Sequence, residues 1–370
     1  MPLATKKSVR LLVCLLLVIV GIGGWCAYLQ TKSRTRKSLV ERARACILRN
    51  EFDQAINFLN QVGHDGETGF EAVLLSGECL VRSGQLQEAV AVLSYAVERR
   101  PDCADGYRWL AACYYDLGAA TQAVACLLRV TDLDQSDARP YRLLGKIYRD
   151  FKRIDDAIEA LESASRITRI DQNTQAEILL ELAQGYVEKG LFDEARGALV
   201  KCDWISPKSS AWHTLQAECS YADHEVETAT RQVRQALRIG PNHQAALQLL
   251  ARISLENDEP NEAVEIASRA VQLRPDDHKS RHVLSRAYRQ LGMETDAERE
   301  EERAQRTRQL FDRLTELSKS AMDAPTDARV RLELAKVWIE LGRDDMAATW
   351  LRASLACDPN LSEARDLLRP

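Results

Sequence analysis

The chain has 370 residues, 45% hydrophobic and only 6% aromatic, with 50 Lys+Arg against 55 Asp+Glu for a formal charge of -5. That apolar content excludes an intrinsically disordered chain, and the acidic balance excludes a strongly basic nucleic-acid binder, so no nucleic acid is expected as a partner. The mean charge conceals a split: residues 1–37 hold seven basic residues and no acidic one, leaving the remainder with 43 basic against 55 acidic.

In chain order, a basic tail (1–10, with Lys6, Lys7 and Arg10) precedes the run LLVCLLLVIVGIGGWCAYL at 11–29, which has no charge and no Asn, Gln, Ser, Thr or Pro. As a helix rising ~1.5 Å per residue it reaches about 28 Å, the hydrocarbon thickness of a bilayer. Trp25 and Tyr28 stand near its carboxyl end, where amphipathic rings favour the headgroup interface. A basic start followed by an apolar run is also the shape of a cleaved signal peptide. Trp25 and Tyr28 interrupt the small residues a cleavage site needs, so the expectation is an uncleaved signal-anchor in the lipid bilayer. A basic linker follows at 30–37. Lys32, Arg34, Arg36, Lys37, Arg42, Arg44 and Arg49 outnumber the bases before the span, which places the carboxyl-terminal body on the cytoplasmic side of a single-pass protein. Eight scattered cysteines after the span, with no C-x-x-C pair, agree with a reducing compartment.

Beyond the linker the sequence repeats. Small residues recur at Ala43, Gly77, Ala111, Gly145, Ala183, Ala217, Ala251, Ser285 and Ala335, in steps of 34, 34, 34, 38, 34, 34, 34 and 50. Twelve positions after each of these markers stands alanine, nine times in nine. Sixteen after stands an apolar residue in every copy but the eighth, which has Glu301, and twenty-four after stands proline in five copies. Turn signals such as Ser83-Gly84, Leu117-Gly118, Lys189-Gly190 and Leu341-Gly342 fall between marker and alanine, where a helix must end in a residue of positive φ. Each copy therefore reads as two antiparallel helices whose small residues let the backbones approach, with proline opening the next loop. One hairpin cannot bury its apolar stripe alone, whereas a stack of them makes a continuous core.

At these residues the chain resembles a tetratricopeptide repeat (TPR) array. The fourth copy carries Tyr141, Leu144-Gly145, Tyr148, Ala157, Leu161 and Ala164 in the family's order; the fifth carries Leu182-Ala183, Tyr186, Gly190, Ala195, Leu199, Cys202 and Pro207. The resemblance covers about residues 38 to 361 and implies an all-α, right-handed superhelix of about nine hairpins, here preceded by one transmembrane helix. Repeats one to eight occupy 38–310, a spacer continuing a long helix 311–326, repeat nine 327–361 and a partial capping helix 362–370. The family implies a concave face, lined by the first helices, that holds a peptide or partner protein.

Inner-wall residues are expected six and three before each marker, and one and four after it, a spacing that shares one helix face. In the fourth copy these are Arg139, Arg142, Lys146 and Arg149, and in the eighth Lys279, His282, Arg286 and Arg289. Arg108 and Arg252 extend the basic stripes. Such stripes favour acidic segments, because Arg grips both oxygens of a carboxylate; a solvated face balanced by neighbouring acids looks the same in sequence. The TPR clamp for chaperone tails needs Asn one after the marker, where this chain has Glu78, Ala112, Lys146, Gln184, Glu218, Arg252, Arg286 and Lys336, so that ligand is disfavoured.

The step of 50 holds sixteen extra residues. Glu294 to Met322 lacks Gly and Pro, which predicts one long second helix, and Leu310, Leu314, Leu317 and Ala321 give it an apolar stripe that packs on the ninth hairpin. Of the dispersed histidines only His278 and His282 stand four apart, with His278 expected at the helix entrance beside Asp276 and Asp277 and no Cys or third ligand to complete a metal site, and Cys79, Cys113 and Cys219 share one repeat slot, as core packing requires. No catalytic motif stands outside the repeat, so no enzyme activity, cofactor or metal is expected. The expected role is that of a membrane-anchored scaffold binding protein or peptide partners, similar in plan to bacterial inner-membrane assembly proteins such as the lipopolysaccharide assembly regulator family, whose terminal C-x-x-C module is absent from this sequence. A constitutive accessory subunit of a membrane enzyme, secretion or cytochrome-maturation complex is the alternative.

Overall fold

Why each repeat folds as a hairpin is visible at its turn. The residue seven after every marker has positive φ: Gly84, Gly118, Gly190, Gly292 and Gly342, and the non-glycines Asn50, Lys152, His224 and Asp258, at 59° to 81°. The residue after it donates its N–H to a carbonyl five positions back in all nine copies, from Glu51 to Cys46 (2.9 Å) through to Arg343 to Trp338 (2.9 Å). This bond occupies a carbonyl that the end of the first helix would otherwise leave open, and sets the chain to reverse.

The computed structural model describes residues 33–202, 209–324 and 326–368. The apolar run 11–29, the basic tail before it, Pro207 and the last two residues lie outside the described residues. Among the described residues no helix is long and apolar enough to cross a membrane, and all regular structure is helical. Two compact units are present, one ending at Cys113 and the other beginning at Tyr114.

The first unit contains α1 (33–48), α2 (Phe52–Asn60), α3 (Gly66–Arg82), α4 (Leu86–Arg99) and most of α5 (Ala104–Asp116). Residues 33–37 are helical rather than linker: no Gly or Pro interrupts 31–48, and the bases Arg34 and Lys37 stay exposed on α1 while Arg36 donates to the Asp65 carbonyl (3.3 Å). Val40, Ala43, Cys46, Ala55 and Leu59 pack with Ala72 and Cys79 as this unit's core.

In the second unit α6 (Ala120–Leu133) is followed by the hairpins α7 (Ala138–Asp150) with α8 (Ile154–Ser165), α9 (Gln172–Lys189) with α10 (Phe192–Cys202), and α11 (Ser210–Ala222) with α12 (Val226–Ile239). Next come α13 (Gln244–Glu256) with α14 (Pro260–Leu273), α15 (His278–Gln290) with α16 (Glu294–Asp323), and α17 (Ala328–Glu340) with α18 (Asp344–Cys357), closed by α19 (Ser362–Leu368). The marker and alanine slots are sealed: Ala183, Ala195, Ala217, Ala229, Ala251 and Ala263 are each 0% exposed. In the fourth copy the close approach needs glycine, since a Cβ on Gly145 would lie 2.6 Å from Leu161 Cγ.

First helices also touch across hairpins, α9 to α11, α11 to α13 and α13 to α15, so they stand side by side there. The eighth copy departs from the pattern. Ser285 donates its hydroxyl to the Ala297 carbonyl (2.9 Å), and Glu301 accepts from His282 Nδ1 (3.2 Å), so this copy trades an apolar contact for a polar one. Beyond it α16 runs for 30 residues, and Leu310, Leu314, Leu317 and Ala321 pack against Val330, Leu334, Val337 and Leu341.

Candidate binding surface on the first helices

The first-helix slots named above divide into spent and free charges. In α7, Arg142 is fully engaged by the following first helix: Glu181 accepts from Nε and from Nη2 (2.7 Å), and Glu177 accepts from Nη1 (2.6 Å). The hydrogen bonds that Arg142 donates to Glu181 raise its pKa further, against its partial burial. Arg149 donates to Gln184 (3.0 Å), and Arg139 folds back on Asp137, the residue capping α7 (2.9 Å). Lys146 stands over the Tyr115 ring, 5.3 Å from its centroid.

The surroundings of Lys146 recur three hairpins on. Tyr115 donates its hydroxyl to Asp150 (3.3 Å), and Tyr221 donates to Glu256 (2.5 Å), while the Arg252 guanidinium lies 4.4 Å from the Tyr221 centroid and donates to Glu218 (3.1 Å). In both places a tyrosine four after one marker meets a base one after the next marker and an acid five after it. Burial, then the Glu256 hydrogen bond, push the Tyr221 hydroxyl up to about 12. Asp116 and Asp150 keep contact with solvent but are crowded by surrounding protein, and that crowding raises both carboxyls. The face is thus a lane of compensated charge with aromatic planes.

α15 differs. Lys279, His282, Arg286 and Arg289 are all exposed. Only His282 has a partner, Glu301; among the described residues the Lys279 ammonium and the Arg286 and Arg289 guanidiniums make no ion pair or side-chain hydrogen bond. Arg108, in the first unit, is bonded to Asp105 (2.5 Å). The ten residues nominated by slot therefore do not form one open cationic face. Those on α7 and α13 are largely paired, and those on α15 are largely free. The neutralising partners Glu177, Glu181 and Glu218 were readable only as acids at corresponding slots of adjacent copies.

The buried cysteines serve packing, while Cys357 is exposed. Cys79, Cys113 and Cys219 are at most 1% exposed, and burial pushes the Cys79, Cys126, Cys202 and Cys219 thiols up to about 11, away from the reactive thiolate. Among the described residues no group of His, Cys, Asp and Glu comes together to hold a metal.

Two family profiles match the chain. That of the cilia and flagella-associated protein 70 C-terminal domain covers residues 36–240, and a tetratricopeptide repeat profile covers 293–362. No curated protein matches. Among solved structures, a tetratricopeptide repeat protein from Parabacteroides merdae is 14% identical, with 69% of this chain and 99% of that one covered at a TM-score of 0.48. Pseudomonas aeruginosa PilF is 18% identical, with 57% and 94% covered at 0.46. YrrB, described as a TPR protein with an unusual peptide-binding site, is 18% identical, with 51% and 96% covered at 0.40.

Proposed function

The chain belongs to the tetratricopeptide repeat family of the cilia and flagella-associated protein 70 C-terminal domain, and we propose that it works as a scaffold that holds protein partners on its first helices. The carrying observation is the run of contacts from α9 to α15, which sets the first helices side by side and brings Glu218 and Tyr221 of one against Arg252 and Glu256 of the next. Its role is binding rather than turnover. The apolar run 11–29 tethers the scaffold to a bilayer, as a single-pass protein of a bacterial inner membrane with its body on the cytoplasmic side, and the partner presents acidic segments to the bases at the inner slots. Hairpins of this kind suit the task because each adds surface by stacking on its neighbours, so the binding face grows with repeat number.

Cross-linking in intact membranes followed by purification of the full chain tests this reading, with protease access fixing the side of the body. The expected result is a membrane-bound chain, its body cut only after the cytoplasmic face is opened, carrying a discrete set of cross-linked proteins. A chain released from membranes by salt, or one that captures no protein, would contradict it.

A further inference from the structure

The fourth and eighth hairpins carry basic stripes at the same four slots, and the fold treats them differently. On α7 the stripe is covered: α9 lies beside it and supplies Glu177, Glu181 and Gln184, spaced i, i+4 and i+7 along one helix face, to Arg142 and Arg149. That arrangement is the chain's own example of what such a stripe pairs with. On α15 no carboxylate of the following first helix meets the stripe among the described residues; the turn after α17 reaches only Asp276, ahead of the helix, through Arg343 (3.6 Å). The next first helix in sequence, α17, packs on the distal half of α16, because the long helix carries it beyond the hairpin that α16 completes. His282, at the slot of Arg142, keeps 55% of its side chain exposed against 32% for Arg142.

Nor would α17 suit the stripe if it lay there. At the slots of Glu177 and Gln184 it has Arg329 and Lys336, and its Glu333, at the slot of Glu181, is already bonded to Arg313 (2.7 Å) and Lys336 (2.9 Å). The preceding helix α13 offers no carboxylate at the slots that face α15: Gln248 donates to Asp277 (2.7 Å) and Leu255 is buried. Three cations thus stand exposed and uncompensated on a helix flank that the array elsewhere closes with an acidic helix.

We infer that the flank of α15 bearing Lys279, His282, Arg286 and Arg289 docks an acidic α-helix of a partner protein, with carboxylates at i, i+4 and i+7, in the position α9 takes beside α7. This rests on the scaffold reading and names the partner's form. The docked helix continues the stack of first helices, and its acids meet Arg286 and Arg289 in charge-assisted bonds that screening weakens.

The test is fluorescence anisotropy on the full chain in detergent micelles. The probe is a labelled alanine-rich helical peptide with Glu at i, i+4 and i+7, and the control is a peptide of equal composition whose Glu residues are spread around the helix. Arg286→Glu with Arg289→Glu is expected to weaken the probe about tenfold, the sum of two partly exposed ion pairs, and the control peptide binds the wild type about as weakly. Unchanged affinity of the variant, or equal affinity for both peptides, overturns the inference. Vesicles containing phosphatidylserine that bind through the same two arginines and displace the probe would also overturn it, assigning the flank to a membrane surface. Persistence of protein capture in membranes alongside either result leaves the scaffold function standing and removes only the acidic helix.

Discussion

Replacing Arg142 by Ala, Glu181 by Ala, and both together isolates what the covered stripe contributes. Glu181 accepts two hydrogen bonds from one guanidinium, at 3.1 Å or less, and Glu177 accepts a third at 2.6 Å. The side chains of Arg142 and Glu181 are 32% and 27% exposed, which places the pair between a surface ion pair of about 0.2–1 kcal/mol and a buried one whose truncation costs about 3–5 kcal/mol. A coupling of about 1–1.5 kcal/mol is expected, and Arg142→Ala alone costs about 2 kcal/mol because it also frees Glu177. Arrays unfold in parts, so the assay is amide hydrogen exchange across α7–α9 beside urea unfolding; exchange there accelerates roughly 5–30-fold in Arg142→Ala. Arg289→Ala, at the exposed and unpaired slot, stays within about 0.5 kcal/mol of wild type. A coupling under about 0.3 kcal/mol, or equal effects of Arg142→Ala and Arg289→Ala, would refute the division into covered and open stripes.

Other outcomes follow from single contacts. Lys152 holds φ 59° at the turn of the fourth hairpin, so Lys152→Gly raises stability by about 1 kcal/mol in urea unfolding despite the added freedom of the unfolded chain. Gly145→Ala lowers it by about 1–3 kcal/mol, because the new Cβ meets Leu161, and Leu161→Val in the same chain recovers part of the loss. Glu300 is 5% exposed and accepts from Arg281 (2.6 Å), itself nearly buried, so Glu300→Ala leaves the guanidinium without a carboxylate, bonded only to the Pro275 carbonyl, and costs about 3 kcal/mol, while the paired change to Met at both positions restores part of it. Asp277 is buried, which raises its carboxyl, but hydrogen bonds from Ser280, Gln248 and Gln244 outweigh this and hold it below the usual carboxylate range. A depressed carboxyl stabilises fully above its unfolded value, about pH 4, and that contribution is lost as pH falls through the lower folded value. Asp277→Asn should therefore flatten the acid limb of the pH–stability curve.

The repeat was legible because every hairpin buries the same two small slots, and a side chain much larger than alanine or serine at those slots would separate the helices. The long helix was legible from its lack of Gly and Pro, and its apolar stripe from the spacing of Leu310, Leu314 and Leu317. Turn geometry was legible only where glycine occupied it. Asn50, Lys152, His224 and Asp258 take the same positive φ because the flanking helices and the backbone bond across the turn over-determine it. At the candidate surface the charges were legible and their state was not. Arg142 is neutralised by Glu177 and Glu181 on a different helix, 35 and 39 residues on, and only the register between first helices reveals the pairing. The displacement of α17 from α15 is likewise a consequence of where a long helix ends in space, which leaves no mark on α15 itself. The residues expected to span a membrane lie outside the described residues.

The central claim, that partners are held on the inner side of the first helices, is tested most directly by site-specific photocross-linking in intact membranes. A photoreactive residue placed at Arg289 of α15 and at Gln184 of α9 is compared with one at Val200, which is 67% exposed on the second helix α10. Cross-links to discrete proteins from the first-helix sites, with none from Val200, are the predicted result. Cross-links arising equally from Val200, or from Val200 alone, would contradict the claim.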